Sequence, residues 1–99
     1  MHYDLTDAVL TRPKMYTLRG SYPEILAFLE GYYSGLAKLQ SDLTVIENWS
    51  SFQQGLAEKL DVSPSDVFLF LADTYESDAL KTFDRFYREF KVSNRYSQP

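Results

Sequence analysis

No cysteine occurs among the 99 residues, and the only histidine is His2. The first absence excludes disulfides, thiolate zinc sites and cysteine nucleophiles. The second argues against a Ser-His-Asp centre or an imidazole-based metal site. Glycine is sparse, with four residues dispersed at Gly20, Gly31, Gly35 and Gly55, so there is no glycine-rich loop to cradle a phosphate. No apolar run approaches the roughly 18 residues that a membrane span requires; the longest is Val67-Phe68-Leu69-Phe70-Leu71-Ala72. Met1 to Asp7 has neither a basic region nor an apolar stretch, so no secretory signal is expected and a cytoplasmic location is. Basic residues are in the minority, 10 against 14 acidic, for a net charge of −4. That balance argues against direct nucleic-acid binding, which needs a basic face to displace phosphate counterions. These absences point to a non-enzymatic protein, with no catalytic residue, cofactor or metal expected.

Apolar and aromatic residues are plentiful, at 44% and 16%. The length suits one domain with one modest core. Residues 1–99 are therefore expected to form a single compact all-α bundle of four to five helices, with a frayed tail over 92–99. Tyr3 to Leu10 reads as a short helix, ended by the effect of Pro13 on Arg12. Lys14 to Gly20 reads as a loop or a short extended piece. Ser21-Tyr22-Pro23-Glu24 is a helix start, with Ser21 as cap, Pro23 in the first turn and Glu24 at capping-box spacing. Tyr22, Ile25, Leu26, Phe28, Leu29, Tyr32, Tyr33, Leu36 and Leu39 then recur with helical period, predicting a helix to about Gln40.

Leu43 to Ile46 fits either a strand or a helical turn. Ser50 and Gln53 have capping-box spacing and predict a helix over 50–60, with Trp49, Phe52, Leu56 and Leu60 on one face. Ser63-Pro64-Ser65-Asp66 reads as another start, with Ser63 as cap and Pro64 in the first helical position. Val67 to Tyr75 is apolar nearly all round, which suits a buried helix, although 67–71 alone also fits a buried strand. Ser77-Asp78 opens a last helix whose Ala79, Leu80, Phe83, Phe86, Tyr87 and Phe90 share one arc, with Asp84 and Arg88 as an i,i+4 pair.

The net −4 conceals a segregation. Residues 20–84 hold eleven acidic and three basic residues, a net −8, while residues 1–19 carry +1 and residues 85–99 carry +3. The densest stretch, Asp61, Asp66, Asp73, Glu76 and Asp78, contains no Lys or Arg. Such a surface steers and selects a basic protein partner. It also keeps a small protein soluble, and Asp66 and Asp78 have a second use at helix N-termini. Tyr33 and Tyr75, each towards the edge of its apolar arc, join these carboxylates as candidate partner-binding residues. Ala27, Gly31 and Gly35 form a small-residue strip on the long helix, open to close approach by another helix.

Two strings bear on function. Arg12-Pro13-Lys14-Met15-Tyr16, followed by Glu24-Ile25-Leu26-Ala27-Phe28-Leu29-Glu30-Gly31-Tyr32, resembles the start of a group of small bacterial immunity proteins encoded beside toxins of the polymorphic and contact-dependent growth-inhibition type. Ala79 to Phe86 is similar to their aromatic C-terminal helix. Lys14 stands where that pattern commonly has glycine. The resemblance implies a toxin inhibitor whose partner is a cognate toxin domain, often a nuclease with a basic face, met in the cytoplasm. It implies no catalytic residue. It also implies structural roles, with Pro13 shaping the loop and Met15, Phe28 and Tyr32 packing together. The alternative is a helical adaptor that, as a monomer or a homodimer, recruits another protein through the Ala27-Gly31-Gly35 strip or Tyr33.

Overall fold

The computed structural model of the chain describes residues 4–39 and 43–97. The fold class is all-α, and among the described residues there is no strand. The helices are α1 (Leu5–Thr11), α2 (Pro13–Tyr16), α3 (Tyr22–Leu39), α4 (Leu43–Leu60), α5 (Val67–Tyr75) and α6 (Ala79–Ser97), with a 3-10 turn at Glu76–Asp78. They divide into two compact units, Met1–Ser50 and Ser51–Pro99.

In the first unit, α1 begins at Asp4, whose carboxylate accepts the Asp7 amide at 3.0 Å. Arg12, ahead of Pro13, leaves the helical region at φ −135°, ψ 68°, as a residue before proline does. Pro13 then starts a helical turn where a loop was expected, because its fixed φ suits the first helical position. That turn is closed by Thr17, whose hydroxyl donates to the Pro13 carbonyl at 2.9 Å and accepts the Gly20 amide at 2.8 Å. Gly20 sits at φ +71°, and a β-carbon there would meet Pro13 and Lys14 at 3.3 Å, so the position suits glycine on both counts.

The capping box at the head of α3 forms as its spacing predicts. The Ser21 amide and hydroxyl donate to Glu24 Oε1 at 3.2 and 3.0 Å, and the Glu24 amide returns to Ser21 Oγ at 3.4 Å. The Arg19 amide adds a bond at 3.1 Å. Partial desolvation raises the Glu24 pKa, but the bonds from Ser21 and Arg19, with the Arg19 charge, outweigh it and hold the carboxyl below its ordinary value.

α3 buries a narrower stripe than its sequence predicts. Tyr22, Ile25, Leu29 and Tyr33 are inside, while Phe28, Tyr32 and Leu39 are exposed. Its neighbours α1 and α2 have 7 and 4 residues and cover only one side. Met15 is 69% exposed, and Tyr16 takes the place expected of it, with its ring 5.7 Å from that of Phe28. One step along a helical turn rotates a side chain by about 100°, so Met15 and Tyr16 cannot both face α3.

α4 starts at Leu43, which settles 43–46 as helix and places Ser50 inside it rather than at a cap. Gln53 then serves elsewhere, donating to the Pro64 carbonyl at 2.7 Å. Residues 51–60 belong to the second unit. There Phe52, 2% exposed, meets Phe68, Phe83, Tyr87 and Phe90 at centroid distances of 6.4, 5.5, 5.2 and 5.5 Å. These separations suit attractive edge and tilted contacts. Leu56, Val67, Leu71 and Phe86 complete this core.

Two starts fall later than their spacing predicts. Ser63 to Asp66 is a turn, closed by the Asp66 amide to the Ser63 carbonyl at 2.9 Å, and α5 begins only at Val67. Proline in the second position favours such a turn as strongly as it favours a helix start. Ser77-Asp78 lies in the 3-10 turn, and α6 follows from Ala79. α6 presents the expected arc and the Asp84–Arg88 pair, at 2.9 Å, and continues to Ser97 through the segment expected to fray.

Because three helices meet at one ring, Phe52→Ala should cost about 3–5 kcal/mol, a large part of a small protein's stability. Chemical denaturation should show it as a lowered midpoint, with Phe52→Leu less affected.

Candidate protein-binding surface

The five carboxylates singled out in the sequence all lie in the second unit and are all exposed. Two of them stand at chain reversals. α4 ends in a Schellman motif, in which the Val62 amide reaches the Ala57 carbonyl at 3.0 Å and the Asp61 amide reaches Glu58 at 3.3 Å. Asp61 occupies the left-handed position that this motif usually gives to glycine, with φ 58°. Glu76 has φ 49° and ψ −114°, and its amide closes α5 on the Ala72 carbonyl. Both residues therefore carry a backbone penalty in addition to their charge. Asp78 ends the 3-10 turn. Tyr75 is half-buried at the end of α5.

Asp66, the residue that caps α5, and Asp73 fall on one side by helical spacing, and Leu69 lies between them along the chain. Leu69 is 64% exposed, although the near-uniform apolarity of Val67 to Tyr75 predicts burial. α5 spends its inward side, Val67, Phe68 and Leu71, on the core, and among the described residues Leu69 on the opposite side is left exposed. The spacing that could have revealed this is in the sequence: Leu69 is three residues after Asp66 and four before Asp73. Among the described residues, none of these five carboxylates has an ion-pair partner. α6 differs, with Asp84 paired to Arg88 and Glu89 paired to Lys59 and Arg85. The stretch from Asp61 to Asp78 thus exposes five carboxylates, with Leu69 exposed between Asp66 and Asp73 along α5. Its carboxylates form no metal-holding cluster, and among the described residues no group of three His, Cys, Asp or Glu is placed to hold an ion.

Tyr33 does not join them. It belongs to the first unit and is 7% exposed, not at a surface edge. Its ring stacks on Trp49 at 4.7 Å, and its hydroxyl shares a 2.8 Å hydrogen bond with Thr6, itself fully buried. A buried hydroxyl needs such a partner, and Thr6 is distant in sequence, so local periodicity does not reveal it. Burial raises the Tyr33 pKa, against the lowering effect of the Thr6 bond, and Asp4 and Tyr32 add to the rise. Burial also raises the Tyr22 pKa strongly, with help from Glu30. The small-residue strip on α3 is open: a β-carbon at Gly31 or Gly35 would meet nothing within 4 Å.

Among known proteins, no family model, no curated protein and no solved structure matches this sequence. No helix among the described residues is long and apolar enough to cross a membrane.

Asp61→Gly should raise stability by up to about 1 kcal/mol in thermal melts, since glycine carries no penalty at positive φ, whereas Asp61→Ala should not. Tyr22 and Tyr33 are held neutral, so their contribution is complete below the ordinary tyrosine value of about 10 and is lost as pH rises through their raised folded values. Unfolding followed by tyrosinate absorbance should therefore begin above about pH 10, and Tyr33→Phe should weaken that dependence while costing about 1 kcal/mol at neutral pH.

Proposed function

We propose that this chain is an immunity protein, a non-enzymatic inhibitor that binds a cognate bacterial toxin domain in the cytoplasm and blocks it. The observation that carries the reading is the stretch from Asp61 to Asp78: five exposed carboxylates without ion-pair partners among the described residues, with Leu69 exposed between two of them along α5. Unpaired like charges repel one another, and a basic partner relieves that repulsion while its approach is accelerated by the field. Leu69 supplies what the charges lack, an apolar contact that excludes water. A basic nuclease cleft, shaped to bind phosphates, suits such a face. The likeness of residues 12–16 and 24–32 to small immunity proteins supports the same reading.

The second reading is a helical adaptor working through α3. Its support is the open surface at Gly31 and Gly35 beside the exposed rings of Phe28 and Tyr32. The partner then need not be basic.

The triple variant Asp66→Lys, Asp73→Lys, Glu76→Lys separates the two. Against the toxin domain encoded beside this gene, it should lower the association rate about tenfold or more at low salt and abolish protection in co-expression. Leu69→Asp should act mainly on dissociation. Unchanged rate and unchanged protection in the triple variant would reject the acidic-face reading. Loss of binding in Gly31→Leu with Gly35→Leu would favour the adaptor.

A further inference from the structure

The string from Arg12 to Arg19 holds three cations and no carboxylate. In the first unit it forms a closed turn. Thr17 ties the turn to the Pro13 carbonyl and the Gly20 amide, and left-handed Gly20 packs against Pro13 and Lys14 with no room for a β-carbon. The Arg19 amide is fixed on Glu24, and the Tyr16 ring leans on Phe28 of α3. The backbone is therefore set, yet Arg12, Lys14, Met15, Leu18 and Arg19 all stand in solvent. Leu18, at 83%, is more exposed than any other large apolar side chain among the described residues, and Met15 is 69% exposed.

The cations of the turn are available. Among the described residues none of the three has an ion-pair partner. Arg12 Nη1 lies 3.9 Å from the Met15 sulfur instead. Glu24 feels the Arg19 charge, but its carboxylate is already bonded to Ser21 and to the Arg19 amide. Asp4 is occupied in capping α1, and Asp7 lies in the first turn of that helix, away from the end that leads into Arg12.

We propose that this turn docks the chain on a bilayer surface rich in anionic phospholipid, with Met15 and Leu18 inserted among the headgroups and Arg12, Lys14 and Arg19 on the phosphates. Two apolar side chains and three cations cover far less than the roughly 1,000 Å² that a specific protein interface needs. A bilayer demands no complementary shape, and binding to it grows with inserted apolar area and with attraction to anionic lipid. The long stems of Arg and Lys let the charge stay with the phosphates while the neighbouring apolar side chain goes deeper. The preformed turn has little ordering left to lose on contact. Near such a surface each cation raises binding about fivefold. The chain as a whole is acidic, at −4, but at physiological salt charges are screened over about 8 Å, so the residues in contact dominate. The docking is weak and reversible. It uses none of the carboxylates from Asp61 to Asp78 and does not rest on toxin binding.

Flotation of the full chain with phosphatidylcholine vesicles, with and without an equal share of phosphatidylglycerol, tests it at physiological salt. The anionic lipid should raise the bound fraction about tenfold or more. Arg12→Gln with Lys14→Gln and Arg19→Gln should lose nearly all of that gain. Met15→Ser with Leu18→Ser should lose it as well, each variant keeping its helical circular dichroism spectrum. Leu39→Ser, at another exposed leucine, should bind as the wild type does. Because the chain has no cysteine, Leu18→Cys offers a single labelling site. An environment-sensitive dye there should shift to the blue on anionic vesicles and be quenched by lipids spin-labelled near the headgroup, while the same dye at Leu39→Cys should not respond. Binding to neither vesicle, equal binding to both, or binding kept by either multiple variant would overturn the proposal. So would equally tight binding to polyglutamate or duplex DNA that the triple Gln variant loses, which would assign the turn to an acidic protein or a nucleic acid.

Discussion

Much of the second unit depends on the ring of Phe52. It meets one ring of α5 and three of α6, all within 6.4 Å. Those contacts decide which side of each helix turns inward. α5 must present Phe68 to the hub, with Val67 and Leu71 beside it, and this leaves Leu69 on the opposite side, between Asp66 and Asp73. α6 must present Phe83, Tyr87 and Phe90, and the charged residues between them are left to pair on the outside. The first unit is held in a comparable way by Tyr33, stacked on Trp49 and hydrogen-bonded to Thr6.

At the chain reversals a charged side chain occupies backbone that favours glycine. Asp61 and Glu76 stand at positive φ, where glycine would be more stable. Each therefore carries a carboxylate at a cost in conformational energy. The resulting surface is lopsided: α6 pairs its charges within itself and with Lys59, while the face from Asp61 to Asp78 has no base with which to pair. Under the proposed function this surface recognises a partner of opposite charge, with the exposed Leu69 as its apolar contact.

Legibility in the sequence followed the range of the interaction concerned. The Ser21–Glu24 box and the Asp84–Arg88 pair formed as their spacing predicts, because both partners lie within one turn of helix. The arc of α6 was equally plain. Ser63-Pro64 reads as a helix start but forms a turn, because proline after serine suits both and the Asp66 amide closes on the Ser63 carbonyl. Ser50 and Gln53 had the spacing of a cap but lie inside a helix that starts at Leu43. The carboxylates of the candidate surface were visible as a run without bases. Leu69 was hidden by its apolar neighbours, and Tyr33 looked like a surface residue only while Thr6 was out of view.

The sequence by itself determined that the chain is helical, where most of its helices run and how its charge is segregated, because period, capping and composition act over a few residues. Only the tertiary structure decided which side chains meet water. Exposure depends on neighbours far away in the chain: Thr6 and Trp49 take Tyr33 inside, and the demand of Phe52 for Phe68 turns Leu69 out.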